Sequence, residues 1–304
     1  MAFYSRVERF AGLRVEDYDV RTAGRVADPA AVAWRLMWEY AGGPAEFAAH
    51  LDRFVTEFGP VATALVISEW GGANQHPPPV EALAERAAGL PNLRALFIGD
   101  ITIDECEVSW LRTADPAPLL AAFPDLTHLR VRGSTGLSPV AHAELRVLEL
   151  ESGGLPAETV RAVGASDLAR LERLELWLGD PDYSGDATVD DLAEILGGAR
   201  LPALTHLGLR NAWDADGLAA AVATAPVVAR LAHLDLSMGS IGDDGVRALL
   251  AGQPLTHLAT LNLRHHFVSP ELAARITAAL PGVAVDLEER QAEYDGNRYV
   301  AVSE

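Results

Sequence analysis

One pattern recurs along the 304-residue chain: a leucine, two variable residues, a second leucine, one variable residue and a further apolar residue. It reads LRALFI from Leu93, LTHLRV from Leu126, LRVLEL from Leu145 and LERLEL from Leu171. LTHLGL from Leu204, LAHLDL from Leu231 and LATLNL from Leu258 follow. Such short alternation fits a strand with its leucines inward and the residues between them outward. Its recurrence predicts a stack of similar units, each burying its apolar face against its neighbours.

The central leucines, Leu65, Leu96, Leu129, Leu148, Leu174, Leu207, Leu234 and Leu261, are 31, 33, 19, 26, 33, 27 and 27 residues apart. Most intervals hold a strand, a turn and a short helix. Helices are predicted over Val80–Ala88, Ala157–Val163, Asp190–Leu196, Gly217–Thr224, Asp243–Ala251 and Glu271–Ala279. Asp190 reads as a helix cap, as does Ser269 before Pro270. The shortest interval contains Gly133–Ala143, too rich in Gly, Ser and Pro for a helix, so an extended connector is expected there. The two longest carry insertions just after a strand, Gly99–Asp115 and Gly179–Asp191, which should emerge on one edge of the stack.

Towards the ends, Ala31–Trp38, Thr63–Ser68 and Gly282–Leu287 read as further strands, and Ala45–Phe58 as an amphipathic helix. The expected organisation is a cap or tail over 1–30, a solenoid with degenerate terminal units over 31–287, and a tail or cap over 288–304. The fold class is α/β: a right-handed leucine-rich-repeat solenoid of about eight to ten units, a horseshoe with a parallel sheet inside and helices outside.

Counting the first leucine of each phrase as one, positions three, five and seven face outward. Position five runs Val66, Phe97, Arg130, Glu149, Glu175, Gly208, Asp235, Asn262. Position seven runs Ser68, Gly99, Arg132, Glu151, Trp177, Arg210, Ser237, Arg264. Parallel strands lie about 4.8 Å apart, so equal positions form ladders. Arg130 beside Glu149 and Arg132 beside Glu151 read either as solubilising charge pairs, contributing about 0.2–1 kcal/mol each, or as part of a recognition face. Outward aromatics and arginines favour recognition. The candidate binding residues are Arg130, Arg132, Glu149, Glu151, Glu175, Trp177, Arg210 and Arg264, with Phe97, Asn211, Trp213 and His265 beside them. An outward tryptophan at 177 is expected to have no structural reason to be there.

Composition narrows the partner. All 24 basic residues are arginine and the net charge is −19, which opposes nonspecific binding to nucleic acid or an anionic membrane. No run of about 18 apolar residues occurs, and the first ten residues lack an apolar signal core. The single cysteine, Cys106, forms no disulfide framework, and a reducing cytoplasm is expected.

Candidate chemistry is sparse. His128, His206 and His233 share position three, a residue type repeated by duplication, and no metal site is expected from them. Asp180–Asp191 approximates a calcium loop but ends on Asp rather than Glu and follows a strand, so it reads as an acidic surface loop. Acidic neighbours should raise the Cys106 thiol pKa. His265 and His266 read as rim histidines. No phosphate-binding loop, zinc motif or nucleophile elbow is present, and no cofactor or enzymatic activity is expected.

The phrase set, with GDIT at Gly99–Thr102, ESGGLP at Glu151–Pro156, ELWLG at Glu175–Gly179, GLRN at Gly208–Asn211 and RYVAVSE at Arg298–Glu304, resembles an uncharacterised actinomycete-type family of bacterial leucine-rich-repeat proteins. The resemblance runs from about Ala31 onward, and the repeats look like the long, helix-backed ribonuclease-inhibitor type. It implies no established activity and no functional residue to carry over. Family members tend to lie beside radical-SAM and ATP-grasp-like genes, which implies an accessory role.

The leading expectation is therefore a noncatalytic scaffold for a protein or peptide partner, a neighbour-encoded enzyme among them. The alternative is an accessory substrate-binding subunit of a modification enzyme. A weaker one is a stand-alone hydrolase working near His233 and Asp235.

Overall fold

The computed structural model describes residues 4–19, 24, 26–112, 114–133 and 135–303. A short hairpin of β1 (Arg9–Phe10) and β2 (Leu13–Asp17) begins the sheet. The chain then alternates strand and helix: β3 (Val32–Trp38), α1 (Gly43–Glu57), β4 (Ala64–Trp70), α2 (Val80–Glu85), β5 (Ala95–Ile98) and α3 (Ala117–Ala122). Among the described residues, β6 (His128–Arg132) and β7 (Val147–Glu151) have no helix between them. Alternation resumes with α4 (Ala157–Ala165), β8 (Arg173–Gly179), α5 (Ala193–Gly197), β9 (His206–Ala212), α6 (Ala215–Val222) and β10 (His233–Asp235). The last elements are α7 (Asp243–Ala251), β11 (Thr260–Asn262), α8 (Pro270–Ala279) and β12 (Ala284–Asp286).

Among the described residues the twelve strands form one sheet in chain order, parallel throughout except for β1 against β2. Register follows the leucines: Leu65 pairs with Leu96, Leu96 with Leu129, and so on through Leu148, Leu174, Leu207 and Leu234 to Leu261. These leucines are fully buried beneath the helices. Each contributes about 1.5–3 kcal/mol, which fixes the register because a one-residue slip would turn the whole row to the other face. In β3 the equivalent position is Trp34, stacked on Phe58 with ring centroids 4.6 Å apart and donating its indole N–H to the Pro29 carbonyl. Aromatic bulk thus closes the end of the stack where the phrase degenerates. This is an α/β leucine-rich-repeat-type fold.

The helix-less connector between β6 and β7 is fastened by polar side chains instead. His142 accepts the Leu145 N–H at 3.0 Å through Nδ1, so its Nε2, 3.0 Å from the Phe123 carbonyl, carries the proton and donates. Near the second insertion the helix cap is not Asp190. The Asp191 carboxylate accepts from both the N–H and the hydroxyl of Thr188, at 2.8 Å each. Ser269 caps α8 with Pro270 as its first residue.

Both chain ends fold back across the sheet. The face opposite the helices carries a second small core, in which Phe10 covers Ala33, Ala64, Val66, Ala95 and Phe97. The residues before β2 are held by Arg35, which bonds the Asp17 carboxylate (2.8 Å), the buried Asp100 carboxylate (2.9 Å) and the Val7 carbonyl. The expected cap or tail over 1–30 therefore supplies two strands and a lid; its residues 1–3, 20–23 and 25 lie outside the described ones. At the other end, residues 298–303 run as a strap along the C-terminal ends of the central strands. Arg298 pairs with Asp216 at 2.7 Å, Ala301 N–H bonds the Met238 carbonyl at 2.8 Å, and Ser109 bonds the Ser303 carbonyl at 2.6 Å.

Candidate binding face

The strap changes the meaning of several candidate residues. Trp177 is 4% exposed, packed among Val108, Met238 and Val302 with the Arg210 guanidinium 5.0 Å from its ring centre. Its structural reason, unseen in the sequence, is a strap more than a hundred residues downstream. Asn211 is wholly buried, and its amide accepts the Val302 N–H at 3.0 Å while donating to the Val302 carbonyl. It imitates a strand partner for the strap, and its φ of +56° is one that asparagine tolerates.

The two histidines after β11 are also buried rather than on a rim. His265 packs on Phe267 and Tyr299, and His266 bridges the Leu287 carbonyl and the Val268 N–H. Burial lowers both their pKa values. Phe97, expected outward, is 0% exposed under Phe10. Trp213 alone among the candidate aromatics is open, at 45% exposure. It flanks a cavity of about 550 Å³ against the second insertion. That insertion leaves β8 at Gly179, whose φ of +79° and 2.0 Å approach of a would-be Cβ to the Gly153 carbonyl admit only glycine.

Between lid and strap the ladders are joined into one charged network. Arg130 lies over the Phe97 ring and reaches Glu151 at 2.6 Å and Glu149 at 3.7 Å. Arg132 bonds Glu151 at 2.8 Å, with both side chains buried. Arg173 bonds Glu149 at 3.0 Å and also contacts Glu175. Glu175 accepts from His206 at 2.9 Å and Arg210 at 3.2 Å. Asp235 takes the Asn262 amide at 2.8 Å, and Arg264 crosses to Asp286 at 3.3 Å and Glu289 at 2.6 Å.

Burial would raise the Glu149 pKa, but His128, Arg130 and Arg173 outweigh it and hold the carboxyl at about 2. Glu175 is likewise lowered: its burial is opposed by His206, Arg173 and Arg210. With Arg132, Glu149, Glu151 and Glu175 buried, these pairs are more than solubilising surface charges. Removing one partner of a buried pair leaves an uncompensated charge costing about 3–5 kcal/mol.

Half-exposed on this face are Arg130, Arg210 and Arg264, all candidate binding residues, together with a strip of position-three and position-five residues: Arg173, His206, His233, Thr260, Asn262 and Asp286. None of the six strip residues is among the candidate binding residues, although His206 and His233 stand at outward position three and Asn262 at outward position five. Position three of the phrase was the available signal, read only for its histidines. His206 and His233 are register partners with ring centroids 5.6 Å apart. His233 Nδ1 lies 2.9 Å from the Thr260 hydroxyl, whereas Asp235 accepts the Ser237 N–H and the Asn262 amide, so His233 and Asp235 do not pair.

The acids of Asp180–Asp191 diverge: Asp180 accepts the Asp182 N–H, Asp186 the Ala157 N–H, and Asp191 the N–H and hydroxyl of the helix cap Thr188. Among the described residues no three His, Cys, Asp or Glu side chains converge on a cation position. The Cys106 thiol is pushed up to about 11, chiefly by burial and then by Glu69 and Glu107. No helix among the described residues is long and apolar enough to cross a membrane.

No protein-family model matches the chain, and no curated protein does. Among solved structures it is similar to a Bacteroides fragilis protein, with 26% identity and a TM-score of 0.78 over 88% of this chain and 76% of that one. Looser likenesses are to a TLR13–ssRNA13 complex (17% identity, TM-score 0.46, covering 86% of this chain and 33% of that one) and a Leptospira interrogans LRR protein (13%, 0.22, 90% and 100%). The Bacteroides likeness, which covers most of both chains, fits the same stacked α/β architecture as the leucine register.

Proposed function

We propose that the chain is a noncatalytic scaffold that captures a protein or peptide partner on the strip between lid and strap. The carrying observation is that charged and polar residues from β8 to β12 stay half-exposed in register, while Phe10 covers the face over β3–β5 and the strap covers the C-terminal ends of β8 and β9. Arginine and histidine beside carboxylates suit a partner with mixed charge, bound by charge-assisted hydrogen bonds across several strands. On this reading the sheet curves as a horseshoe with the strip inside, and a neighbour-encoded modification enzyme is one partner to test.

A photo-crosslinking residue at Thr260, on the strip, and at Arg247, on the outer helix α7, tests the proposal in the native host. A defined partner crosslinked from position 260 and absent from position 247 supports it. Equal labelling from both positions, or labelling only from 247, refutes it.

A further inference from the structure

The C-terminal ends of β2, β3 and β4, with α1 beside them, enclose a cavity of about 660 Å³. That size suits a small molecule. Its wall includes aromatic and thioether surface from Tyr18, Met37, Trp38 and Tyr40, of which Met37 is 41% and Tyr40 49% exposed.

The charges on the wall are unbalanced. Glu39, Glu69 and Glu105 face it against one guanidinium, Arg53, and Asp19 on the same wall is engaged in an interaction of its own. Glu105 is paired with Arg6. Glu69 is buried and accepts the Gly72 and Ala73 N–H groups at 2.5 and 3.1 Å, and neither it nor Glu39 has a cationic partner among the described residues. Backbone N–H groups hold the Glu69 carboxylate in place and leave its charge unneutralised.

His50 of α1 gives the second observation. It lines the cavity, is 5% exposed, and lies between Tyr18 and Trp38 with ring centroids 4.9 Å from each. Neither of its ring nitrogens has a hydrogen-bond partner among the described residues. A buried polar group left unbonded is costly, so native proteins rarely keep one without a role. Burial, with Arg53 nearby, lowers the His50 pKa. The neutral ring retains one lone pair that can accept a hydrogen bond.

We propose that this cavity binds a small organic ammonium cation, seated against Trp38 and Tyr40, with Glu39 and Glu69 answering its charge. Aromatic faces attract such cations through the ring quadrupole, and the attraction grows when water is displaced. An anion would meet the excess of carboxylates. A bare metal ion would need converging ligands, and no three such side chains converge among the described residues. The long-range field of a chain with net charge −19 favours the same class of ligand. This site is separate from the strip proposed for the protein partner and stands or falls independently of it.

Titration calorimetry of the full chain with choline, n-butylammonium and 3,3-dimethyl-1-butanol, the uncharged shape mimic of choline, tests the assignment. At least one ammonium should bind about tenfold or more tightly than the alcohol. Glu39→Gln and Tyr40→Ala, both at exposed positions, should each weaken that binding about three- to tenfold without lowering Tm. The His50 ring resonances should shift at saturation. No ammonium binding up to about 10 mM, equal affinity for the alcohol, or binding unchanged in both variants would overturn it.

Discussion

Replacing Asn211 with glycine measures what holds the C-terminal strap. The side-chain amide supplies two hydrogen bonds to one residue, Val302, through its N–H and its carbonyl. Each has a net worth of about 0.5–1.5 kcal/mol, so the pair contributes roughly 1–3 kcal/mol. That is roughly a five- to 150-fold shift in the ratio of docked to released strap. Glycine accepts the φ of +56° without strain, so the loss reports on the side chain alone. Alanine would add roughly 1–2 kcal/mol of backbone cost at the same position.

Hydrogen exchange read by mass spectrometry follows the consequence directly. The Ala301 and Val302 amides, bonded to Met238 and Asn211, should exchange faster by about the calculated factor. The amides of β8 should keep their protection, and acrylamide should quench Trp177 more readily once Val302 lifts from it. Exchange of the strap peptide within about twofold of the wild type would show that Asn211 does not hold it.

Three further outcomes are expected. The Glu149 pKa is lower folded than unfolded, so its stabilisation is complete above about pH 4.5 and disappears as pH falls towards about 2. The stake is of order 3 kcal/mol; urea titrations should show a smaller loss between neutral and acid pH for Glu149→Gln than for wild type, and equal losses would contradict the assignment. Phe10→Ala should cost about 3 kcal/mol and expose the Phe97 row, as Phe-to-Ala changes in a core do; a denaturation midpoint that does not move would mean the lid is not packed. With its pKa near 11, Cys106 should react with Ellman's reagent at pH 8 roughly a hundredfold more slowly in the native chain than in urea. Comparable rates would place the thiol in solvent.

The leucine phrase made most of the architecture legible, because each residue in it carries its burial locally. Leu148 under Leu129 is a matter of spacing, and so are the missing helix before β7 and the two edge insertions. The candidate face was less legible. Trp177, Asn211 and His265 occupy outward or rim positions in the repeat, yet each is buried by Val302 or Tyr299 from the strap. Phe97 is covered in the same way by Phe10, from the opposite end of the chain. No periodicity encodes such contacts, since the covering segments have no phrase of their own. Arg132 and Glu151 were paired correctly from register, but their depth depends on neighbours that register does not specify.

The order of the strands gives the strap a mechanical meaning. In a stack where each unit touches only its neighbours, the last unit can peel away without disturbing the rest. Here residues 298–303 pass back over β10 to Asn211 at the end of β9 and on to Ser109 in the first insertion, 194 positions upstream in the chain. A pull applied at Ser303 would therefore load the middle of the sheet before it reached β12. The last repeats should let go together with the strap, as one unzipping event rather than one turn at a time.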